Sequence, residues 1–158
     1  MSFNPNMPLP TEPIGSVPRP ESLVQLLIAH TAGQASEAEV KSAQQEALRE
    51  TIREMEETGS PVISDGEQTK PSFATYPLAG LTNLTPDGAV IPFADGHTRQ
   101  LPALSRGPFH YANYAAEYLK AARQLTERPL KQAVISASAM SLLYPASGIP
   151  GYSQEQLA

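Results

Sequence analysis

Apolar residues in the first third of the chain recur at helical spacing. Leu23, Leu26 and Leu27 repeat towards His30 behind Pro20, which suits a first helical turn, and Gly33 closes that helix. His30 reads as a helix-end cation. Ser36 then opens the clearest helix of the chain, with Glu39 three residues on completing a capping box. Val40, Ala43, Ala47, Leu48, Thr51 and Met55 form one apolar stripe along it. Lys41, Gln45, Glu46, Arg49, Glu50 and Arg53 make the opposite, solvated face. Gly59 ends the helix. The β-branched pair Val62-Ile63, behind Pro61, predicts a short buried strand that stops abruptly at Ser64-Asp65-Gly66-Glu67.

The flanking segments extend this grammar. Met1 to Pro13 is a proline-rich, extended lead-in. Ile14 ends a short strand, and Gly15 lets a ligand or another backbone come close. After Lys70-Pro71 the chain turns into Phe73-Ala74-Thr75-Tyr76. Residues 78–108 are rich in Gly and Pro, with turn signals at Thr85-Pro86-Asp87-Gly88 and Ala94-Asp95-Gly96-His97. Val90–Phe93 and Thr98–Leu101 pair as a hairpin across the second turn, and an excursion of this length is expected at the rim of a regular scaffold. A helix is expected from Tyr111 to Glu127, burying Ala115, Tyr118, Ala122 and Leu125. A third strand runs from Gln132 to Ser138, and a further helix starts near Tyr152. Strands near Ile14, Val62 and Val134, each followed by helical pattern, predict parallel β/α units. Three strands leave unpaired edges, so the chain is expected to be the first part of something larger.

Composition narrows the classes. The 158 residues are enough for one domain with a core, and 41% hydrophobic and 17% charged residues suit an ordinary globular protein. A net charge of −5 argues against nucleic acid or an anionic membrane as partner. No run of 18 apolar residues and no signal-peptide pattern occurs, so the expected location is cytoplasmic. With no cysteine, neither disulfides nor thiolate chemistry arise from this chain. His30, His97 and His110 lie far apart without metal-ligand spacing. Sixteen prolines mark many element ends.

The candidate chemistry lies at the end of the Val62-Ile63 strand. Asp65 and Glu67 flank a flexible glycine where, in α/β sheets, loops converge on ligands. The plainer alternative is a solvated turn, because Asp-Gly is a common turn pair.

Three segments in register resemble the catalytic barrel of the cobalamin-independent methionine synthase family and its shorter relatives, within the wider superfamily that includes uroporphyrinogen decarboxylase. They are Pro13-Ile14-Gly15-Ser16-Val17-Pro18-Arg19-Pro20, then Val62-Ile63-Ser64-Asp65-Gly66-Glu67, then Glu127-Arg128-Pro129-Leu130-Lys131 leading into Val134 to Tyr144. The resemblance implies an α/β fold, the N-terminal part of a (β/α)8 TIM-type barrel. That part holds about three β/α units, with 1–13 as lead-in and 78–108 as a rim insertion. It implies methyl or alkyl transfer to a zinc-bound thiol such as homocysteine, with a methyl-folate as donor. A coenzyme M–epoxide transferase relative is also open, as are a non-catalytic scaffold subunit derived from a barrel and an unrelated small α/β binding domain.

Carried over by position, the Ile14-Gly15-Ser16 backbone faces the amino-acid part of the thiol. Glu67 holds its ammonium group, with Asp65 beside it. Tyr144 supports the pterin, and Arg99 falls near a folate-contacting basic residue. Where the synthases commonly carry His-Gly-Glu, this chain has Asp65-Gly66-Glu67. The family's zinc ligands belong to the second half of the barrel, outside this chain. The implied partner is therefore a second polypeptide, or the missing half, that completes the barrel.

Overall fold

The computed structural model describes residues 11–157. In chain order its elements are α1 (Glu21–Thr31), α2 (Glu37–Glu57), β1 (Ile63–Ser64), β2 (Leu84–Thr85), β3 (Val90–Pro92), β4 (Thr98–Gln100), β5 (Ala103–Leu104), α3 (Ala115–Arg123), β6 (Leu130–Lys131), α4 (Ala137–Met140) and α5 (Gln154–Leu157). Short 3-10 turns occupy Tyr76–Leu78 and Ser141–Leu143. Two compact units share these elements: one runs up to Lys70 and resumes over Ala115–Ala133, and the other holds Pro71–Tyr114 and the chain from Val134 onwards.

The first unit follows its sequence pattern closely. The Ser36 hydroxyl accepts from Glu39 N while Glu39 Oε2 accepts from Ser36 N at 2.8 Å, so the expected capping box forms. Val40, Ala47, Leu48, Thr51 and Ile52 are the buried face of α2. Leu48, Ile52, Ile63 and Ala122 make the core, with Met55 and Leu130 packed against it. Gly59, at φ +74°, supplies the left-handed residue that stops α2, as Gly33 at the same φ follows α1. The chain is thereby returned into β1, which pairs in parallel with β6, Ile63 opposite Leu130 and Ser64 opposite Lys131.

The second unit is built from short antiparallel pairs. The expected hairpin forms between β3 and β4, with Ile91 opposite Arg99. The β2–β5 pair lies outside it in sequence, Leu84 opposite Leu104, so 78–108 is two nested antiparallel ladders. Tyr76, Leu101, Leu104, Met140 and Leu143 are among its buried side chains.

Three expectations shift. No strand forms at Ile14, whose side chain is 94% exposed. The third strand is not at Gln132–Ser138 but at Leu130–Lys131; Val134 stays 59% exposed, because pairing with Ile63 selects the residues just after Pro129. α3 spans Ala115–Arg123 rather than Tyr111–Glu127, and Leu125 is exposed beyond its end. The lead-in expectation for 1–13 lies mostly outside the described residues.

Candidate functional site

The turn after β1 is closed, and its groups are buried. Asp65 is 2% exposed and Glu67 6%, which overturns the solvated-turn alternative. The backbone reverses through two successive left-handed residues, Gly66 at φ +61° and Glu67 at φ +56°. Glycine adopts this region freely, but a glutamate is held there only by its surroundings. Asp65 Oδ1 accepts from Glu67 N at 3.0 Å, the Asx pattern expected of a carboxylate in a turn. Ser64, from β1, donates its hydroxyl to Gly15 O at 2.9 Å and accepts from Gly66 N at 3.1 Å. Val17 N donates to Gly66 O at 3.1 Å. The first and second resembling segments are thus stitched side by side.

The third resembling segment completes the enclosure. Lys70 Nζ donates to Ala133 O at 2.7 Å and lies 5.7 Å from the centre of the Tyr118 ring. Gln132 Nε2 donates to Asp65 Oδ1 at 3.4 Å. A Cβ placed on Gly15 would lie 2.7 Å from Glu67 Oε1 and 3.1 Å from Ala133 Cβ, so the carboxyl group rests directly against that glycine. Of the residues carried over by position, Gly15, Asp65 and Glu67 are brought together here. Ile14 and Ser16 flank Gly15 with exposed side chains.

Electrostatics follow from this burial. Glu67 is pushed above the usual carboxylate range, chiefly by desolvation; Lys70 opposes the shift, Asp65 adds to it, and Arg19 opposes it. Lys70 is lowered by desolvation against the pull of Glu67 and Asp65. The Tyr118 phenol is raised by burial and by the charge of Asp65. Asp65 Oδ2, Gln68 Oε1 and Gln132 Oε1 are buried acceptors without a hydrogen-bond partner. Two buried carboxylates, one with an unpartnered oxygen and both acting on Lys70, suit a group that donates hydrogen bonds and carries positive charge.

Arg19, Gln68, Lys70 and Gln132 were not singled out from the sequence. Polar residues after Asp-Gly look like solvated turn, and only Arg19, between two prolines in a resembling segment, carried a local signal.

Arg99 and Tyr144 belong to the other unit. Arg99 Nη2 donates to Ser72 Oγ on an exposed surface. The Tyr144 hydroxyl donates to Tyr152 O at 2.6 Å and accepts from Ile149 N at 3.1 Å, which fixes the ring. That ring lines a cavity of about 800 Å³, together with Thr85, Asp87, Leu104, Ser141 and Gln154. Arg99 is not among the lining residues.

This geometry has counterparts. A solved structure, a B12-independent methionine synthase from Shewanella sp. W3-18-1 in complex with selenomethionine, shares the fold with a TM-score of 0.69 at 23% identity; the match covers 94% of this chain and 43% of that one. A methionine synthase of Sulfolobus acidocaldarius is 30% identical over 105 residues, which are 66% of this chain and 30% of that protein. No family model matches the chain. The resemblance read from the three segments is thereby borne out: the chain is cobalamin-independent methionine synthase-like. It spans less than half the length of either protein it matches.

Proposed function

We propose that this chain is the N-terminal part of a (β/α)8 barrel that transfers a methyl group to an amino-acid thiol such as homocysteine, and that Glu67 binds the ammonium group of that thiol. The observation that carries the reading is the Glu67 carboxyl, buried against Gly15 in the turn after β1, with the buried, unpartnered Asp65 Oδ2 in the same turn and Lys70 as the chief cation acting on it. Burial outweighs Lys70 and Arg19 in setting the Glu67 pKa, and a ligand ammonium would add donors and positive charge to a carboxylate that burial destabilises. The Gly15 carbonyl already accepts from Ser64, so its part in the reading is to let the carboxyl approach. Asp65 stands beside Glu67 with one oxygen free for the same ligand.

The chain's own residues do not fit a zinc site. It has no cysteine, and the described residues contain no cluster of three or more histidine or acidic side chains placed to hold a metal. Thiol activation therefore belongs to the half of the barrel that completes this one. For a methyl-folate donor, the fixed Tyr144 ring and its cavity, within the roughly 300–1,000 Å³ of small-molecule sites, offer a surface for a flat heterocycle. In this reading 78–108 forms part of the rim.

Titration calorimetry tests the reading. L-homocysteine and its analogue lacking the amino group are titrated into the full assembly and into its Glu67→Gln variant. The wild type is expected to prefer the amino acid by about ten- to a hundredfold, and Glu67→Gln to erase that preference. Equal affinities for the two ligands in the wild type would remove the ammonium role and favour a thiol without an amino group.

A further inference from the structure

Glu67 is left-handed without being glycine, and neither neighbour in sequence explains why it stays so. Two overlapping turns make this loop: Gln68 N donates to Asp65 O at 3.4 Å across the left-handed Gly66 and Glu67, and Lys70 N donates to Glu67 O at 3.2 Å. One side chain gathers three carbonyls of this loop. Arg19 Nη2 donates to Glu67 O at 3.2 Å and to Lys70 O, and Arg19 Nε donates to Gln68 O at 3.5 Å. Pro18 and Pro20 flank Arg19, and Pro18 O in turn accepts from Gln68 Nε2 at 3.4 Å. Proline fixes its own φ and restricts the residue before it, so Arg19 is presented from a stiff segment.

We infer that Arg19 is a positioning residue: its guanidinium holds the Glu67–Lys70 turn, and with it the left-handed backbone of Glu67 that turns its carboxyl onto Gly15, where the ligand's ammonium group would meet it. This rests on the reading of Glu67 as the ammonium site. The planar fork is what the role requires, because it reaches several carbonyls at fixed angles. Lysine carries the same charge as a single point and cannot span them. Arg19 spends its hydrogen bonds on backbone, so its contribution to the ligand passes through Glu67.

The charged groups acting on Glu67 are Lys70, Asp65 and Arg19 itself. Their signs make the inference separable from simple charge loss. If Arg19→Met releases the turn, Glu67 swings out of its buried position and its pKa falls towards the ordinary carboxylate value. If the turn stays in place, loss of a nearby cation raises that pKa further.

The experiment follows the Glu67 carboxyl by carbon-13 NMR in the full assembly, assigned with Glu67→Gln, and measures L-methionine affinity by calorimetry. The variants are Arg19→Met and Arg19→Lys. Expected results are a falling Glu67 pKa and about a tenfold or greater loss of affinity in Arg19→Met, with partial recovery of both in Arg19→Lys. A Glu67 pKa that rises or stays fixed in both variants overturns the positioning role. Should Arg19→Met fail to fold, the direction of the shift in Arg19→Lys decides. If Glu67→Gln binds methionine as the wild type does, the ammonium reading fails on its own, and the titration still judges the clamp.

Discussion

At the scale of single residues, Glu67 combines a left-handed backbone, a buried carboxyl and a raised pKa, and these have a shared consequence for stability. A carboxyl raised in the folded state contributes stability that is present below its unfolded pKa and is lost as pH climbs through the folded value. Its ionised form is therefore a burden at neutral pH. Lys70, lowered by the same burial, contributes stability above its unfolded pKa and loses it as pH falls through the folded one, so it is a second burden there. Glu67→Gln is expected to leave the melting temperature unchanged or higher at pH 7, and this advantage should shrink as pH falls to 4. A marked loss of stability at pH 7, read by thermal denaturation, would instead mean that Glu67 chiefly serves to neutralise Lys70. Gly15 makes the companion prediction. Its missing Cβ leaves the space that Glu67 Oε1 occupies, so Gly15→Ala must displace the carboxyl or Ala133. Ligand affinity is expected to fall about tenfold, while a denaturant midpoint moves little, because the far end of a glutamate yields more cheaply than a packed core.

Individual elements show what the sequence made legible. The capping box of α2 and the glycines after α1 and α2 depend on neighbours within a few residues, and all formed where the pattern put them. Ser36→Ala is expected to destabilise the protein by about 1 kcal/mol, measurable as a lower urea midpoint at unchanged slope. The hairpin between β3 and β4 was legible for the same local reason. Strand β6 was not, because its position is set by a partner far away in sequence. Val134-Ile135 has the stronger strand composition, yet Leu130–Lys131 is what meets Ile63–Ser64. The site divides in the same way. Gly15, Asp65 and Glu67 were marked by motif and position, whereas the burial of Gln68 and Lys70 comes from Gly66 and Glu67 turning the chain inward. No spacing rule signals a lysine that ends its path on the carbonyl of Ala133.

For the whole molecule, the question is what covers the edges. The described residues contain only two-stranded sheets, and the parallel pair β1–β6 has two residues in each strand. Parallel strands are found with both faces covered and are seldom stable as isolated pairs. Ile14, Ile28 and Leu125 also leave large apolar side chains in solvent within the unit that carries this pair. The chain spans 43% of the methionine synthase whose fold it shares, so the remainder of such a fold is the natural cover. On the proposed reading, the remaining strands and the thiol-activating ligands come from residues outside these 158, on the same or another polypeptide. Light scattering of the purified chain should show association or aggregation, and addition of the completing half should convert it to a defined complex. Zinc measured on that complex is expected to travel with the added half, since this chain offers no thiolate. A cooperatively folded, monodisperse monomer of this chain alone, binding L-homocysteine with the amino-group preference argued for Glu67, would overturn the requirement for a partner while leaving the ligand site intact.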